Sequence, residues 1–483
     1  MAMVSENIFK EQKEIIILGA GIAGLVAGYE LKKKGYTVKI YEASDRIGGR
    51  VFTKYFNPDL YGELGAMRIP DDHELVLHYI KELGLCNKLR RFKTVFNEDN
   101  CYADLNNKIY RIDKVIKELS LCYLNRFDQN LKSETARKYI TGLKILIEAI
   151  SPVEIRELFT RDLYNGLAQE IDTLFCNNEI KYDEEEVTFR NILKHADKFL
   201  DKVNPSLQLF LRDIILETKK ELYRLEGGMS IFPEALAQFL KEEIHLNKPV
   251  SGISVLGDEV HIEFNDGDTI ISSETICTIP YSVLKNLKLS GFSDSKLRAI
   301  NDLKYADASK VLFLCKERFW ENEKHKIKSG ASITDNKLRQ VYYPDNESKT
   351  KEGVLLGSYA IGGDSKEIAS MRKQDRLNEV KELIGRFHPE IKENNMVLKT
   401  ESISWEDHKW TLGGCSVMWN GENDQELGDP IDQLYEDIIK PEGNLFFAGE
   451  HCSEKQAWIE GAIRSSLEQI EAITKKDLAK VAV

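Results

Sequence analysis

The amino-acid sequence predicts a fold of mixed α/β and α+β class, in which a β-α-β unit, a helical stretch and a second region of strands follow one another. An apolar strand at Ile15–Leu18, a glycine-rich turn, a helix at Leu25–Lys34 and a strand at Thr37–Tyr41 form the β-α-β unit. Residues 113–221 contain two prolines and two glycines and repeat apolar residues at helical spacing. From residue 222 onward, short apolar runs alternate with turn residues, which is typical of strands.

The helical stretch at 113–221 has two interpretations. Ile140, Leu143 and Leu146 repeat with the period of one helix face, and charged residues fill the other faces. We predict an inserted helical domain, and the alternative is a set of helices that simply cover the main fold.

The later strands are predicted from apolar runs that end at turn residues. The alternating run Val260–Phe264, the turn at 265–268 and the run Thr269–Ile271 predict a hairpin. The remaining strands are expected at 245–249, 276–279, 310–315, 354–359, 417–419 and 445–448, with a final helix near 459–473.

Composition and charge exclude several classes of protein. Of 483 residues, 42% are hydrophobic, which argues against intrinsic disorder of the whole chain. The formal charge of −12 argues against a general nucleic-acid binder, because phosphate binding needs a basic face. The eight cysteines form no C-x-x-C pair and are expected to be reduced thiols. The apolar stretch 15–28 lacks a basic leader and is too short to span a bilayer, so we expect a soluble cytoplasmic protein.

The glycine-rich turn carries a dinucleotide-binding fingerprint. In Gly19-x-Gly21-x-x-Gly24, the first glycine permits the tight turn, the second lets a diphosphate approach, and the third lets helix and strand pack. Glu42 ends the second strand, where a carboxylate accepts hydrogen bonds from an unphosphorylated ribose of FAD or NAD. We predict a Rossmann-like domain, and the alternative is a purely structural glycine turn.

The residues after Glu42 favour FAD over NAD. Gly48 and Gly49 let the backbone fold beneath a cofactor, and Arg50 supplies a fixed cation for phosphate. The alternative for Arg50 is a surface salt bridge.

Three blocks of the sequence resemble the flavin-dependent amine oxidases over nearly the whole chain. The first block runs from the fingerprint to Arg50, and the second is Leu64-Gly-Ala-Met-Arg-Ile-Pro70. The third block is Leu445-Phe-Phe-Ala-Gly-Glu450, which continues into Ala457-Trp-Ile-Glu-Gly-Ala-Ile463. Shorter matches lie between these blocks at 226–229, 309–313 and 357–364. The arginine of the second block resembles the L-amino-acid oxidase branch and the related amino-acid monooxygenases.

The resemblance implies an FAD-binding domain of the glutathione-reductase type that is split in sequence, a mixed-sheet substrate domain and the helical insertion. The implied ranges are 13–66, 222–300 and 440–475 for the FAD-binding domain, 67–112 and 301–439 for the substrate-binding domain, and 113–221 for the helical domain.

The resemblance also implies non-covalent FAD and oxidation of an L-α-amino acid by hydride transfer from Cα to flavin N5. The imino acid would be hydrolysed to a 2-oxo acid and ammonium, and O₂ would reoxidise the flavin to give hydrogen peroxide. The expected partners are therefore a small-molecule L-amino acid and O₂, with no nucleic acid or membrane, in a homodimer.

Four residues are expected at the substrate. Arg68 can bind a carboxylate bidentately and keeps its charge when buried, although an ion pair with Glu63 or Asp71 is the alternative. By resemblance, the Tyr359 hydroxyl adds a hydrogen bond to that carboxylate, Trp458 forms a wall near the amine, and Lys310 holds a water near N5. The alternatives are a sheet tyrosine, a core tryptophan and a solvated lysine.

Cys415 departs from the pattern of L-amino-acid oxidases, which more often have an aliphatic residue there. Monoamine oxidases attach their flavin through a cysteine in the same Gly-Gly-Cys context. We predict a thiol that lines the side-chain pocket with Ile361, and the alternatives are covalent flavin attachment and a structural cysteine. A yellow pellet after acid precipitation would indicate covalent attachment.

The remaining expected site residues concern the cofactor. Glu450 is expected to hydrogen-bond the ribitol region, and the backbone of Val250 is expected to pair with adenine. The residues expected to bind FAD are Gly19, Gly21, Ala23, Gly24, Glu42, Ala43, Gly49, Arg50, Gly65, Ala66, Met67, Arg68, Val250, Gly449, Glu450, Trp458 and Ile459. The nine histidines show no H-x-x-x-H pattern, so no metal is expected.

Three other functions fit the same motifs. An amino-acid 2-monooxygenase would release an amide and CO₂ after the same first half-reaction. An amine oxidase for carboxylate-free amines would leave the Arg68 guanidinium unpaired, which is costly. A catalytically inactive flavoprotein scaffold would not need Arg68, Lys310, Tyr359 and Trp458 together.

Overall fold

The chain folds into two compact units that are each assembled from separate stretches of sequence. In this computed structural model, the described residues are 13–94, 97–123, 131–181, 187, 192, 195, 198–216, 220–345, 350–418 and 431–481. The first unit contains Met1–Val51, Ser230–Leu303 and Pro430–Val483, and the second contains Phe52–Met229 and Lys304–Asp429.

The unit boundaries differ from the expected ranges in four places. Residues 52–66 and 222–229 belong to the second unit, and residues 301–303 and 430–439 belong to the first. The described helices between 113 and 221 also belong to the second unit. The division into three domains stays a prediction.

A five-stranded parallel sheet forms the centre of the first unit. Its strands are, in spatial order, Ile244–His245, Thr37–Tyr41, Glu14–Leu18, Thr275–Cys277 and Leu445–Phe447. Ile15–Leu18 is apolar at every position because both faces of the strand are covered, and each of its side chains is at most 1% exposed. The helices of the unit are Ile22–Lys33, Ile231–Phe239, Tyr281–Leu284, Asp294–Asp302, Ile431–Ile439 and Ile459–Val481.

A second sheet of the first unit contains the predicted hairpin. Its spatial order is Thr269–Ser272, Glu259–Phe264, Val250–Leu256 and Lys288–Ser290. The prediction of a strand at 245–249 is wrong: one strand ends at His245 and the next begins at Val250. Asn247 between them has a left-handed backbone with φ of 58°, and Pro249 has no N–H to donate, so the chain turns there.

A seven-stranded mixed sheet forms the centre of the second unit. Its strands are, in spatial order, Val397–Ser404, Ala308–Cys315, Gly353–Ile361, Gln340–Tyr343, Gly330–Thr334, Tyr102–Leu105 and Lys108–Arg111. Three small sheets accompany it: Thr53–Asn57 with Leu60–Glu63, Lys304–Ala306 with Cys415–Val417, and Leu222–Leu225 between Ile69–Pro70 and Leu89–Phe92. The strand predicted at 417–419 is therefore shifted toward the N-terminus, and Trp419 lies outside the described residues.

Helices pack against this sheet and against one another. Glu134–Ile150 is buried along most of its length, because Tyr139, Leu143 and Leu146 share an apolar face. The other α-helices of the unit are Glu74–Glu82, Ile112–Tyr123, Val153–Asp162, Ala168–Cys176, Pro205–Phe210, Gly363–Ala369 and Lys373–Ile384. Short 3₁₀ or π turns lie at Cys86–Lys88, Leu163–Leu167, Leu200–Lys202, Leu211–Leu216, Phe319–Glu321 and Pro389–Lys392, and at Glu450–Cys452 in the first unit. No helix among the described residues has the length and apolar character that crossing a membrane would require.

Candidate functional site

The glycine fingerprint of the first unit forms the turn that its sequence predicts. Gly19 has φ of 106°, and a side chain there would overlap Thr278. A side chain at Gly24 would overlap the carbonyl oxygen of Gly19, so this glycine lets helix and strand pack closely. The carbonyl of the neighbouring Ala23 accepts a hydrogen bond of 2.9 Å from Ser466 Oγ.

Gly21 differs from Gly19 and Gly24 because the space beside it is open. It precedes the helix Ile22–Lys33, and a Cβ built there would meet no described heavy atom within 4 Å. Within this fully described helix, no side chain caps the first turn and no acidic residue lies in it. The first N–H groups of a helix carry a partial positive charge and bind phosphate. This turn therefore fits the diphosphate of a dinucleotide.

Glu42 is fixed at the end of the second strand. Its side chain is 8% exposed, and Oε2 accepts a hydrogen bond of 2.7 Å from the Ala20 backbone N–H. Oε1 accepts from the backbone N–H and the hydroxyl of Ser44 at 2.9 and 2.8 Å. A carboxylate held by three donors keeps one orientation, which suits recognition of ribose hydroxyls.

The segment after Glu42 returns toward the fingerprint. Ala43 is half-buried, and Gly48 donates a backbone hydrogen bond of 2.8 Å to the Ala20 carbonyl. Gly48 and Gly49 have φ of 92° and 56°, which glycine adopts without strain. These contacts place the Gly48-Gly49 turn beside the open face of the fingerprint.

Arg50 forms an ion pair inside the first unit. Its Nη1 lies 2.7 Å from Glu450 Oε1, and the other oxygen of Glu450 accepts from the Ala457 N–H at 2.9 Å. The alternative of a surface salt bridge does not describe this pair well, since the Glu450 side chain is only 9% exposed.

The third sequence block lies on and between the last strand and the last helix of the first unit. Gly449 has φ of 149°, and its N–H donates to Ser465 Oγ at 2.9 Å. Trp458 and Ile459 at the start of the final helix are each 8% exposed. Val250 begins a strand, and the Lys248 N–H near it donates to the Glu42 carbonyl at 2.8 Å. The predicted ribose and adenine residues therefore lie along one edge of the first unit.

Lys310 occupies a buried polar position in the second unit. It lies on the strand Ala308–Cys315, is 4% exposed, and its Nζ donates to the Gly65 carbonyl at 2.6 Å. The same Nζ lies 3.4 Å from Met67 Sδ and 4.7 Å from the ring centroid of Tyr359. The half-buried Ala66 lies between the two residues that hold the ammonium. The solvated lysine considered from the sequence is thus wrong.

Burial shifts the proton equilibria at this position. Desolvation lowers the pKa of Lys310, the Glu63 carboxylate opposes that shift, and the Arg68 guanidinium reinforces it. Desolvation raises the pKa of Glu63, whose oxygens accept from the Met229 N–H and the Thr53 hydroxyl at 2.8 Å each. A lysine with a lowered pKa can change its protonation state near neutral pH.

Arg68 is half-buried and lies in the same polar cluster. Its Nη1 is 3.5 Å from the Tyr342 hydroxyl, which donates to Gln340 Oε1 at 2.8 Å. Burial raises the pKa of Tyr359 to about 12, and the charge of Arg68 opposes that rise. Arg68, Lys310 and Tyr359, which were predicted from separate sequence blocks, therefore interact in one unit.

The register of the central sheet explains this grouping. Lys310 and Tyr359 are directly paired on antiparallel strands, and Tyr359 is also paired with Gln340 on the next strand. Ile361 is paired with Ala308 at the end of the same ladder. Cys415 is half-buried on a short strand opposite Ala306 and interacts electrostatically with Tyr359. Lys310, Tyr359 and Ile361 thus lie at one end of the central sheet, whereas Arg68 and Cys415 belong to other elements.

An apolar cavity lies beside this cluster. It has a volume of about 680 Å³ including its open mouth, and Glu63, Met67 and Tyr342 line it with Phe92 and Leu312. Arg91, Lys93 and Arg224 belong to the same lining. Neither Ile361 nor Cys415 lines this cavity.

Sequence reasoning missed three members of the cluster. Tyr342 and Gln340 belong to a strand that was not predicted, and Trp405 donates from Nε1 to the Leu64 carbonyl at 2.9 Å, which holds the second sequence block. Glu63 was considered as an ion-pair partner of Arg68, but its described hydrogen bonds go to Thr53 and Met229. An alternation in Gln340-Val-Tyr342 was the available signal for the strand.

Comparison with known proteins gives a family and a fold. The sequence model of the flavin containing amine oxidoreductases matches residues 22–473. The chain is 36% identical to the flavin-dependent L-tryptophan oxidase RebO of Lentzea aerocolonigenes, over 96% of this chain and 98% of that protein. It is 30% identical to the putative L-amino-acid oxidase YobN of Bacillus subtilis, over 94% and 93%. The solved structure of cyclohexylamine oxidase from Brevibacterium oxydans superposes with a TM-score of 0.67 at 17% identity, over 96% and 99%.

Proposed function

Because the chain belongs to the flavin-containing amine oxidoreductases and uses FAD, we propose that it oxidises an L-α-amino acid to the imino acid, with O₂ as the final electron acceptor. Water then hydrolyses the imino acid to a 2-oxo acid and ammonium, and O₂ is reduced to hydrogen peroxide. FAD supplies the hydride acceptor, at N5, for the hydrogen that leaves Cα.

The observation that carries this proposal is the half-buried cation Arg68. An amino acid differs from a simple amine by its carboxylate, and a guanidinium binds a carboxylate through two parallel hydrogen bonds. The Tyr342 hydroxyl lies 3.5 Å from Arg68 Nη1, and Tyr359 lies in the same electrostatic cluster. In the proposed role, Arg68 binds the carboxylate and Tyr359 adds a hydrogen bond to it.

Lys310 is proposed to act through its charge and a bound water. Its ammonium is held by the Gly65 carbonyl and Met67 Sδ, so it has one fixed position. A fixed cation stabilises the negative charge that develops when oxygen is reduced, and its lowered pKa lets it deliver a proton to water.

The cofactor is proposed to rest on the first unit through the residues described above. Gly21 and the helix behind it would receive the diphosphate, Glu42 a ribose, and Arg50 with Glu450 the phosphate–ribitol region. Val250 would pair with adenine through its backbone, and Trp458 would contribute an aromatic wall near the amine.

L-tryptophan is proposed as the first substrate to test. The relative that is 36% identical over 96% of this chain carries the name of an L-tryptophan oxidase. Ile361 and Cys415 are proposed to line the side-chain pocket, and both are half-buried apolar groups that tolerate an indole ring.

The test is anaerobic mixing of the FAD-loaded enzyme with each L-amino acid. We expect L-tryptophan to bleach the flavin absorption, and admission of air to give hydrogen peroxide with indole-3-pyruvate. An amide one carbon shorter would identify a monooxygenase instead, and bleaching by amines alone would identify an amine oxidase. Full colour with every L-amino acid and amine would contradict the proposal.

Variants at two glycines of the fingerprint distinguish loss of FAD binding from loss of folding. We expect Gly21→Val to yield a folded protein without FAD, because its side chain would project into open space that the diphosphate needs. We expect Gly24→Val not to fold, because its side chain would overlap the Gly19 carbonyl. Far-UV circular dichroism measures folding, and the 450-nm absorbance of the purified protein measures FAD. Normal FAD content in Gly21→Val would show that the diphosphate lies elsewhere.

The homodimer and the cytoplasmic location expected from the sequence stay predictions. Light scattering after size-exclusion chromatography tests the first of them.

A further inference from the structure

Three metal-ligating side chains meet in the second unit, away from the residues proposed for catalysis. His325, His388 and Glu390 each place one nitrogen or oxygen within 4.8 Å of the other two. His325 Nε2 lies 3.0 Å from Glu390 Oε1. Both histidines are fully buried. His325 follows the turn Phe319–Glu321, whereas His388 and Glu390 follow the helix Lys373–Ile384, so the chain brings them together from about sixty residues apart.

Each imidazole has a hydroxyl partner on the nitrogen that faces away from the cluster. His325 Nδ1 lies 2.7 Å from the Tyr102 hydroxyl, and His388 Nε2 lies 2.7 Å from the Tyr343 hydroxyl. With a metal ion bound, each ring would donate to its tyrosine oxygen and present His325 Nε2 and His388 Nδ1 as ligands, and the ion would replace the hydrogen bond of 3.0 Å between His325 Nε2 and Glu390 Oε1. This pattern is the one by which metal-binding histidines are oriented in proteins.

Two of the inward-facing atoms have no partner. His388 Nδ1 and Glu390 Oε2 are buried and make no hydrogen bond within the part of the chain that the structure describes. A buried polar atom without a partner costs about 1–3 kcal/mol, so such atoms usually serve a ligand or a water.

The charges around the cluster are mixed. The Lys324 ammonium lies 3.4 Å from Glu390 Oε1, and the Arg111 guanidinium lies over the Tyr102 ring and donates to the His325 carbonyl. Both positive charges disfavour binding of a metal cation at the cluster. The Lys324 side chain is 60% exposed, so it can move into water when a metal ion takes its place beside the carboxylate.

We propose that His325, His388 and Glu390 form a zinc site with an open fourth position for water. Two imidazoles and one carboxylate are a common zinc ligand set, and zinc bonds of about 2.0–2.2 Å place neighbouring ligand atoms about 3.4 Å apart. The measured spread of up to 4.8 Å closes by side-chain movements of about 1 Å.

The zinc ion would connect parts of the second unit that are remote in sequence. Tyr102 and Tyr343 belong to two strands of the central sheet, and the three ligands belong to two connecting segments. Because zinc would bind the folded state alone, it would stabilise the second unit by mass action.

The test uses the full-length, FAD-loaded enzyme after removal of metal with dipicolinate, with the FAD content checked by absorbance. Titration with zinc chloride against a chromophoric chelator measures affinity and stoichiometry. We expect one strong site per chain. Glu390→Gln and Tyr343→Phe should each weaken it by about 10–100-fold, the first as a ligand and the second as the partner that orients His388.

A matched control is available on the surface. His261 Nε2 lies 3.0 Å from Glu259 Oε2, the same separation as in the proposed site, but the pair is exposed. Glu259→Gln should leave zinc affinity unchanged. Anomalous diffraction at the zinc edge should place the ion among the three ligands. Absence of strong binding, an ion elsewhere, or wild-type affinity in both Glu390→Gln and Tyr343→Phe would overturn the proposal. Circular dichroism shows whether each variant is folded.

Discussion

We expect replacement of Arg68 by Met to lower kcat/KM for an L-amino acid by about 10²–10³-fold, the usual cost of removing one partner from a hydrogen-bonded charge pair. The loss arises because the substrate carboxylate would enter a half-buried site without its counter-charge, beside the buried hydroxyl of Tyr342. Most of the effect should appear in KM, since the carboxylate is equally charged in the ground state and the transition state. Steady-state kinetics with L-tryptophan checks this result.

Two further variants show whether the effect belongs to the guanidinium. Arg68→Lys keeps the charge but loses the bidentate geometry, so we expect an intermediate loss. Arg91→Met removes an arginine at the lining of the neighbouring cavity, where its side chain is 72% exposed, and should leave kcat/KM within about twofold because exposed charges contribute little. In Arg68→Met, the ratio of kcat/KM for tryptamine to kcat/KM for L-tryptophan should rise. Unchanged amino-acid turnover in Arg68→Met would refute the carboxylate role.

Replacement of Lys310 by Met should slow the oxidative half-reaction much more than the reductive half-reaction. We expect the rate constant for flavin reoxidation by O₂ to fall by about 10²–10³-fold, as when one charged or hydrogen-bonding group is removed from a developing anion. Anaerobic flavin reduction should change by less than about tenfold, because hydride transfer depends mainly on substrate orientation. Stopped-flow absorbance measures both steps separately. A large effect on reduction with none on reoxidation would contradict the proposed role.

The pH dependence of reoxidation follows from the direction of the Lys310 shift. Burial lowers its pKa, so the ammonium is present below that lowered value and is lost as the pH rises through it. The reoxidation rate of the wild type should therefore fall with rising pH, well below the ordinary lysine range near 10.5, while Lys310→Met shows no such step. Lys296→Met is a matched control, because burial also lowers the pKa of Lys296, to about 8, at a site outside the proposed machinery. Its reoxidation profile per bound flavin should match the wild type.

The roles of the fingerprint residues in the first unit could be predicted from the sequence because their contacts are local. A side chain at Gly24 would overlap the Gly19 carbonyl of the same turn, and Glu42 accepts from residues 20 and 44. Their roles depend on contacts within one β-α-β unit, so the spacing of the residues in sequence already contains the geometry.

The side-chain contacts of the second unit were harder to predict from the sequence because they depend on pairing between distant strands. Tyr342 interacts with Arg68 across 274 residues, and the Gln340–Tyr343 strand contributes through its register with the strand that carries Tyr359. The imidazoles of His325 and His388 lie 4.4 Å apart by ring centroids, a proximity that no short motif expresses. Such sites arise from strand register and helix packing, which a single sequence does not specify.

The order of strands in the first unit constrains the synthesis of the protein. Glu14–Leu18 is paired with Thr275–Cys277, which is in turn paired with Leu445–Phe447. At a ribosomal rate of about 5–20 residues per second, the last of these strands emerges roughly 20–90 s after the first. During that interval the nascent sheet has an unpaired edge, which is a site of aggregation. Chaperone binding and a slow final assembly step are therefore the expected features of its biogenesis, and a ribosome that stalls before residue 445 releases a chain without a complete cofactor platform.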